Sequence, residues 1–194
     1  MKTRTIITLL AIVVLAISCK KEKESDNPNI NHRDVNLEMK VSSYNADSDM
    51  SVDINDDGML DFEIELDLYR NSDNELEYYA EIDYEQTGNE VLTQDIDGDE
   101  YVKPLNKNDL ISGGSSTWYR YATIFELDRD PGNPEINYGF AGKGDVLVGI
   151  RFMIGTQLHY GWMKINAASD YKSIIVKEVA YDIRPNVEVR AGEK

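Results

Sequence analysis

Cysteine is all but missing from the 194-residue chain, which carries one, Cys19. A lone thiol forms no intramolecular disulfide, so the folded part must stand on its core without that staple. Histidine is nearly as scarce, with only His32 and His159; neither a histidine-based zinc site nor a Ser–His–Asp triad has enough members. Basic residues are few: 20 Lys and Arg stand against 36 Asp and Glu, a formal net charge of −16. A surface of that sign repels phosphate backbones and anionic headgroups, which argues against nucleic-acid binding, and it attracts cations. No segment keeps a sustained helical period. The glycine pair of ISGGSSTW, residues 111–118, lacks the lysine of a phosphate loop and reads as a turn. Glycosidase-type carboxylate pairs carry no information here, because among 36 acids some pair of suitable spacing is unavoidable.

What is present begins with MKTRTIITLLAIVVLAISC. Lys2 and Arg4 precede an apolar run from Ile6 to Ile17, the charged and hydrophobic regions of a secretory signal, too short to span a bilayer. The run ends in AISC, with the small Ser18 before the only cysteine. These residues resemble the lipobox of bacterial lipoproteins, and the resemblance implies cleavage before Cys19 and lipidation of that residue. An ordinary signal peptide with an incidental cysteine, or an uncleaved anchor, is the alternative. Loss of residues 1–18 removes Lys2 and Arg4 and no acid, which takes the charge to −18. Residues 20–34, KKEKESDNPNINHRD, hold one apolar residue, Ile30, and have the composition of a solvated tether. The charges after Cys19 are similar to the export stretches of Bacteroidetes-type surface lipoproteins, although they mix in sign. The expected organisation is therefore a signal peptide over 1–18, a lipidated Cys19 with tether over 19–34, and one domain over 35–194. The expected place is the outer membrane, on its periplasmic or its exposed side.

From Val35 onward, alternation of period two dominates. Phe62, Ile64, Leu66 and Leu68 alternate with Glu63, Glu65, Asp67 and Tyr69. Leu76, Tyr78, Ala80, Ile82 and Tyr84 repeat the pattern after the turn residues RNSDNE. Further strands are expected at 36–43, 49–54, 90–94, 117–127, 145–154, 157–165 and 173–183. About nine strands without helix predict an all-β fold, an antiparallel β-sandwich or jelly roll.

Ahead of the clearest strand stands DINDDGMLD. Asp53, Asn55, Asp57 and Asp61 occupy positions one, three, five and nine of a calcium loop, with Gly58 at the turn position and the Met59 carbonyl at position seven. Short oxygen-bearing side chains on alternate residues of a tight loop can reach one centre, and a bound Ca2+ would relieve the mutual repulsion of the aspartates. Position twelve is Ile64, part of the apolar face of the next strand, so the bidentate glutamate of an EF-hand is missing. The loop resembles the DxDxDGxxD loops of integrin-like repeats, and a structural role for the ion is implied. An ion-free acidic turn is the competing reading. Asp95, Asp97 and Asp99 in TQDIDGDEY share the spacing, but Gly98 is misplaced, and a solvated loop tip is the simpler reading.

GIRFMIGTQLHYGWMKIN, residues 149–166, reads as a hairpin around Gly155 and Thr156. With the following AYDIRPNVEVRAG it resembles the C-terminal portion of a group of secreted and anchored bacterial proteins of mostly unassigned function, which implies shared architecture and no particular activity. Trp118, Tyr119, Tyr121, His159 and Trp162 are candidates for a sugar platform; for His159 and Trp162, packing in the sheet is the weightier reading. Two functional expectations follow. One is a lipid-anchored, calcium-stabilised structural, adhesive or ligand-binding module without catalysis, meeting the membrane through its lipid, with a glycan or an envelope protein as the further partner. The other is a surface protein that binds or degrades glycans.

Overall fold

The computed structural model describes residues 27–43, 46–70, 76–114, 117–128 and 136–194. Residues 1–26 lie outside them, and with them the signal segment, Cys19 and the first part of the expected tether.

Where the sequence alternates, the backbone is strand. Phe62, Ile64 and Leu66 are fully enclosed, while Glu63, Glu65 and Asp67 between them turn outward. In chain order the strands are β1 Ile30–Lys40, β2 Ala46–Val52, β3 Phe62–Arg70, β4 Leu76–Tyr84, β5 Glu90–Ile96, β6 Asp99–Val102, β7 Pro104–Leu105, β8 Leu110–Ile111, β9 Thr117–Tyr119, β10 Ala122–Asp128, β11 Ile136–Gly139, β12 Asp145–Ile154, β13 Gln157–Ala167, β14 Ser173–Asp182 and β15 Val189–Arg190. There is no helix among the described residues. The all-β expectation holds at that level. The strands are more numerous than nine, because the short ones, β6 to β9, β11 and β15, are too brief to show a period.

Thirteen strands form one mixed sheet, running β1-β14-β13-β12-β5-β6-β10-β4-β3-β2, with β7, β9 and β11 joined to β12, β5 and β10. Pairing is antiparallel except for a single parallel bridge between β6 and β10, Tyr101 to Thr123. The expected face-to-face pair of sheets is replaced by this one continuous path. Its two ends, β1 and β2, are consecutive in the chain and lie against each other without a hydrogen-bonded ladder, so the sheet curls almost into a barrel. The interior holds Phe62, Ile82, Phe125, Val148, Phe152, Ile165 and their neighbours. The expected tether also needs correction: β1 starts at Ile30, and Ile30 to Asp34 pair with Asp182 to Glu178 of β14. Pairing with a neighbouring strand overrides polar composition there.

A second, smaller core sits on the outside of β12–β14. Trp162, Tyr160 and Ala180 point away from the barrel interior and are covered by Ile111 and Val189 of the small β8–β15 ladder and by Ala191 just beyond it. The central strands are therefore buried on both faces, and Tyr160 through Met163 form an unbroken enclosed run.

The outer face of β2–β4 carries one sign of charge. Asp47 stands opposite Asp67, Asp49 opposite Glu65, Glu65 opposite Glu81 and Glu63 opposite Asp83. Burial raises the carboxyls of Glu63, Glu65 and Asp67 above their usual range, and the neighbouring acids push in the same direction. Like charges directly opposite one another each cost a few tenths to about 1 kcal/mol. Thermal unfolding from 20 to 500 mM NaCl should therefore show a rising midpoint, and Glu65→Gln should be more stable than the parent at low salt. A midpoint indifferent to salt would remove the repulsion from the account.

Candidate functional site

Residues 53–61 connect the antiparallel strands β2 and β3, whose last pair is Val52 with Phe62. The base of the loop is closed by the Asp61 N–H donating to the Val52 carbonyl at 3.0 Å. Above it the side-chain oxygens fold back on the loop. The two Asp53 oxygens accept from the N–H groups of Asp56 (2.7 Å) and Gly58 (2.9 Å), Asn55 Oδ1 from Asp57 N–H (3.2 Å), and Asp57 Oδ1 from Met59 N–H (2.8 Å). Asp56 and Gly58 take positive φ, 64° and 86°, the left-handed turn for which glycine is suited at the second position. A carboxylate has about four lone-pair sites, so these bonds leave each aspartate with acceptor capacity.

Asp61 differs from the rest. Its residue is 1 % exposed, Oδ2 accepts from Ile54 N–H at 2.8 Å, and the enclosed Asn89 donates to its backbone carbonyl at 2.9 Å. Burial, with the nearby charges of Asp53 and Asp57, pushes its carboxyl up to about 6 against the Ile54 N–H, which pulls the other way. Asn89 also accepts from Met153 N–H at 2.9 Å, so one polar side chain ties the loop base to β12. On the far side Arg33 of β1 donates to the carbonyls of Asp53 and Ile54 and pairs with Asp56 at 2.9 Å. The loop is thus pinned by Asn89 and Arg33, neither of which a local spacing argument could find. Ile64, at position twelve, is fully enclosed in the interior.

The second acidic spacing is a hairpin. Ile96 pairs with Asp99, and Asp97 and Gly98 both have positive φ, 58° and 101°, the signature of a two-residue type I′ turn. Asp95 accepts from Gly98 N–H and Asp97 from the Tyr138 hydroxyl. The solvated-tip reading describes its position.

The aromatic candidates separate. His159 and Trp162 are 3 % and 0 % exposed and lie on opposite faces of β13, His159 against Phe152 and Tyr181 of the interior, Trp162 in the outer core. Enclosed on the two faces of β13, they contribute to no exposed platform with Tyr119 and Tyr121. Trp118 is half-buried, its ring covered by the Arg151 guanidinium at 4.8 Å and tilted against Tyr160. Tyr119 and Tyr121 are exposed.

Among the described residues, one group of three histidine or carboxylate side chains brings its ligand atoms within 4.8 Å of one another: His32, Asp34 and Glu178. Glu178 already meets Lys164 at 2.5 Å and Lys194 at 2.7 Å. Burial alone would raise its carboxyl, but the hydrogen bonds from Lys164, Lys194 and His32 outweigh it and hold it down at about 2. A divalent ion there would sit against two ammonium groups, so the cluster reads as an ion-pair network. Comparison with protein-family models, with curated proteins and with solved structures gives no match for this chain.

Proposed function

We propose that this protein is a lipid-anchored module of the bacterial cell envelope, held at the outer membrane by Cys19, in which Ca2+ on the 53–61 loop stabilises a non-catalytic β scaffold. The observation that supports it most is the loop itself. Asp53, Asn55, Asp57 and Asp61 bring three carboxylates and an amide into a nine-residue connection whose base is pinned by Asn89 and Arg33, and a buried Asp61 is costly without a counter-charge. Ca2+ would neutralise that charge and fix the start of β3, with the Met59 carbonyl as a further ligand.

The anchor is tested on the full chain expressed in a Gram-negative host with an alkyne-labelled fatty acid. Label should enter the wild type and vanish in Cys19→Ala, which should also leave the detergent phase; label retained in the variant would refute lipidation at Cys19. Exposed Tyr119 and Tyr121 favour a second reading, a glycan-binding surface. It requires retention on a polysaccharide column that Tyr121→Ala abolishes.

A further inference from the structure

On the outer face of β12 and β13 a cleft of about 540 Å³ lies between the β7 segment and the C-terminal tail. Its size is within the range of small-molecule pockets, roughly 300–1,000 Å³. Leu105 of β7, Leu147 of β12 and Lys164 of β13 stand in one cross-strand row. The two leucines supply an apolar floor, and Lys107, Lys164 and Lys194 border it. Gly192, with φ of 77°, forms part of the wall; a Cβ there would come to 3.2 Å from Leu147 and 3.5 Å from Lys107. The absent side chain keeps the cleft open.

The charge of this cleft opposes that of the molecule. Lys107, Lys164, Lys194 and, beside them, Lys177 place four ammonium groups around it, against the two carboxylates of Asp145 and Glu178. Asp145 is held by Lys177 and Asn166, and Glu178 by Lys164, Lys194 and His32. Each ammonium has three donors, and Lys164 and Lys194 each direct one to Glu178. In a chain of net charge −16 a cationic, apolar-floored cleft selects strongly among solutes.

We propose that this cleft binds a small organic acid, its carboxylate on the lysines and its ring or carbon chain on Leu105 and Leu147, with D-glucuronate as the probe. Lysines act as point charges without the bidentate geometry of arginine, so the charge of the anion matters more than its shape. The inference goes beyond the proposed scaffold role and uses no residue of the 53–61 loop, so it is measured in both EDTA and Ca2+, and the two ideas fail separately.

The test is amide NMR titration of the folded protein with D-glucuronate, D-glucose and inorganic phosphate at low ionic strength. Glucuronate should shift the amides of Leu105, Lys107, Leu147, Lys164 and Gly192 with millimolar or tighter affinity, and glucose should not. Phosphate binding more weakly than glucuronate supports a contribution from the apolar floor; phosphate binding as tightly overturns the organic-acid assignment. Lys107→Glu, at an exposed position, should weaken glucuronate about tenfold or more, near 1.4 kcal/mol, in a protein whose amide spectrum away from the cleft is that of the wild type. Lys164→Arg should retain binding. Absence of shifts with glucuronate, equal shifts with glucose, or full binding by Lys107→Glu overturns the proposal.

Discussion

Adding Ca2+ to chelator-treated protein should raise the melting temperature by about 5–10 °C at a hundredfold excess over the dissociation constant. That corresponds to about 2.7 kcal/mol of linkage in a domain of this size. Asp57→Ala should lose the increment while keeping most of its calcium-free stability, since only two exposed bonds depend on that side chain, from Met59 N–H and from Asn55 Nδ2. Asp61→Asn separates the ion from the local fold more sharply. In EDTA at pH 8 the ionised Asp61 is a liability, and an amide oxygen can still accept from Ile54 N–H. The variant should therefore match or modestly exceed the wild type, the gain being offset in part because its NH2 group would face the Asn89 Nδ2 donor, 3.4 Å from Asp61 Oδ1. In Ca2+ the order should reverse.

The pH dependence has a fixed sign. A carboxyl raised in the folded state contributes most below its unfolded value, 3.8, and that contribution is lost as the pH rises through about 6. Calcium-free wild type should therefore lose stability between about pH 4 and 6, and Asp61→Asn should lose less. A Ca2+ increment of the same size in Asp57→Ala as in wild type, or none in either, would remove the ion from the account.

Trp162→Ala should cost about 3–5 kcal/mol, the range for truncating a fully enclosed large aromatic. The indole fills the outer core, and its Nε1–H donates to the Glu193 carbonyl at 3.2 Å, which fastens the C-terminal tail. Gly161→Ala should be destabilising for a different reason. Its new Cβ would lie 2.4 Å from the Ala180 carbonyl oxygen of the adjacent strand, so β13 and β14 would have to part, at a cost of about 1–3 kcal/mol or more. Denaturant unfolding followed by tryptophan fluorescence and circular dichroism measures both. If Trp162→Ala kept its stability but abolished retention on a polysaccharide, the packing role assigned to HYGW would be wrong.

Strands with one wet face were legible residue by residue. Phe62 to Leu68 and Tyr78 to Ile82 keep the period of two because the alternate positions, Glu63, Glu65 and Glu81 among them, remain partly in water. In β13 that signal disappears. With a core on each side, Tyr160, Gly161, Trp162 and Met163 are all enclosed, so nothing local told which face His159 or Trp162 would take.

The acidic spacing around Gly58 located a loop between two strands, but Asp57 stays exposed while Asp61 is buried beside Asn89, 28 positions further along the chain. Arg33 was equally invisible, since it belonged to a stretch whose composition suggested a tether. Asp97–Gly98 was legible as a solvated tip, and its place in a two-residue hairpin was not, because β6 on its far side is too short to show a period. The cationic cleft escaped notice because its lysines are distant in sequence and meet only when β7, β13 and the tail come together.

The open seam of the barrel also has a mechanical meaning. The chain enters the described fold at Asn27, whose N–H donates to the Lys194 carbonyl at 2.7 Å and whose side chain donates to Glu193 at 2.8 Å. It continues into β1, which has a hydrogen-bonded neighbour, β14, on one side only. Tension applied ahead of Asn27, as an anchor at Cys19 would apply it, first strains those two contacts. It next loads the β1–β14 ladder, which is already interrupted between Asp34 and Leu37. The strand with the least lateral support is the one that takes the pull, and Arg33, bridging to the 53–61 loop, is the nearest side chain that shares the load with the opposite edge of the sheet.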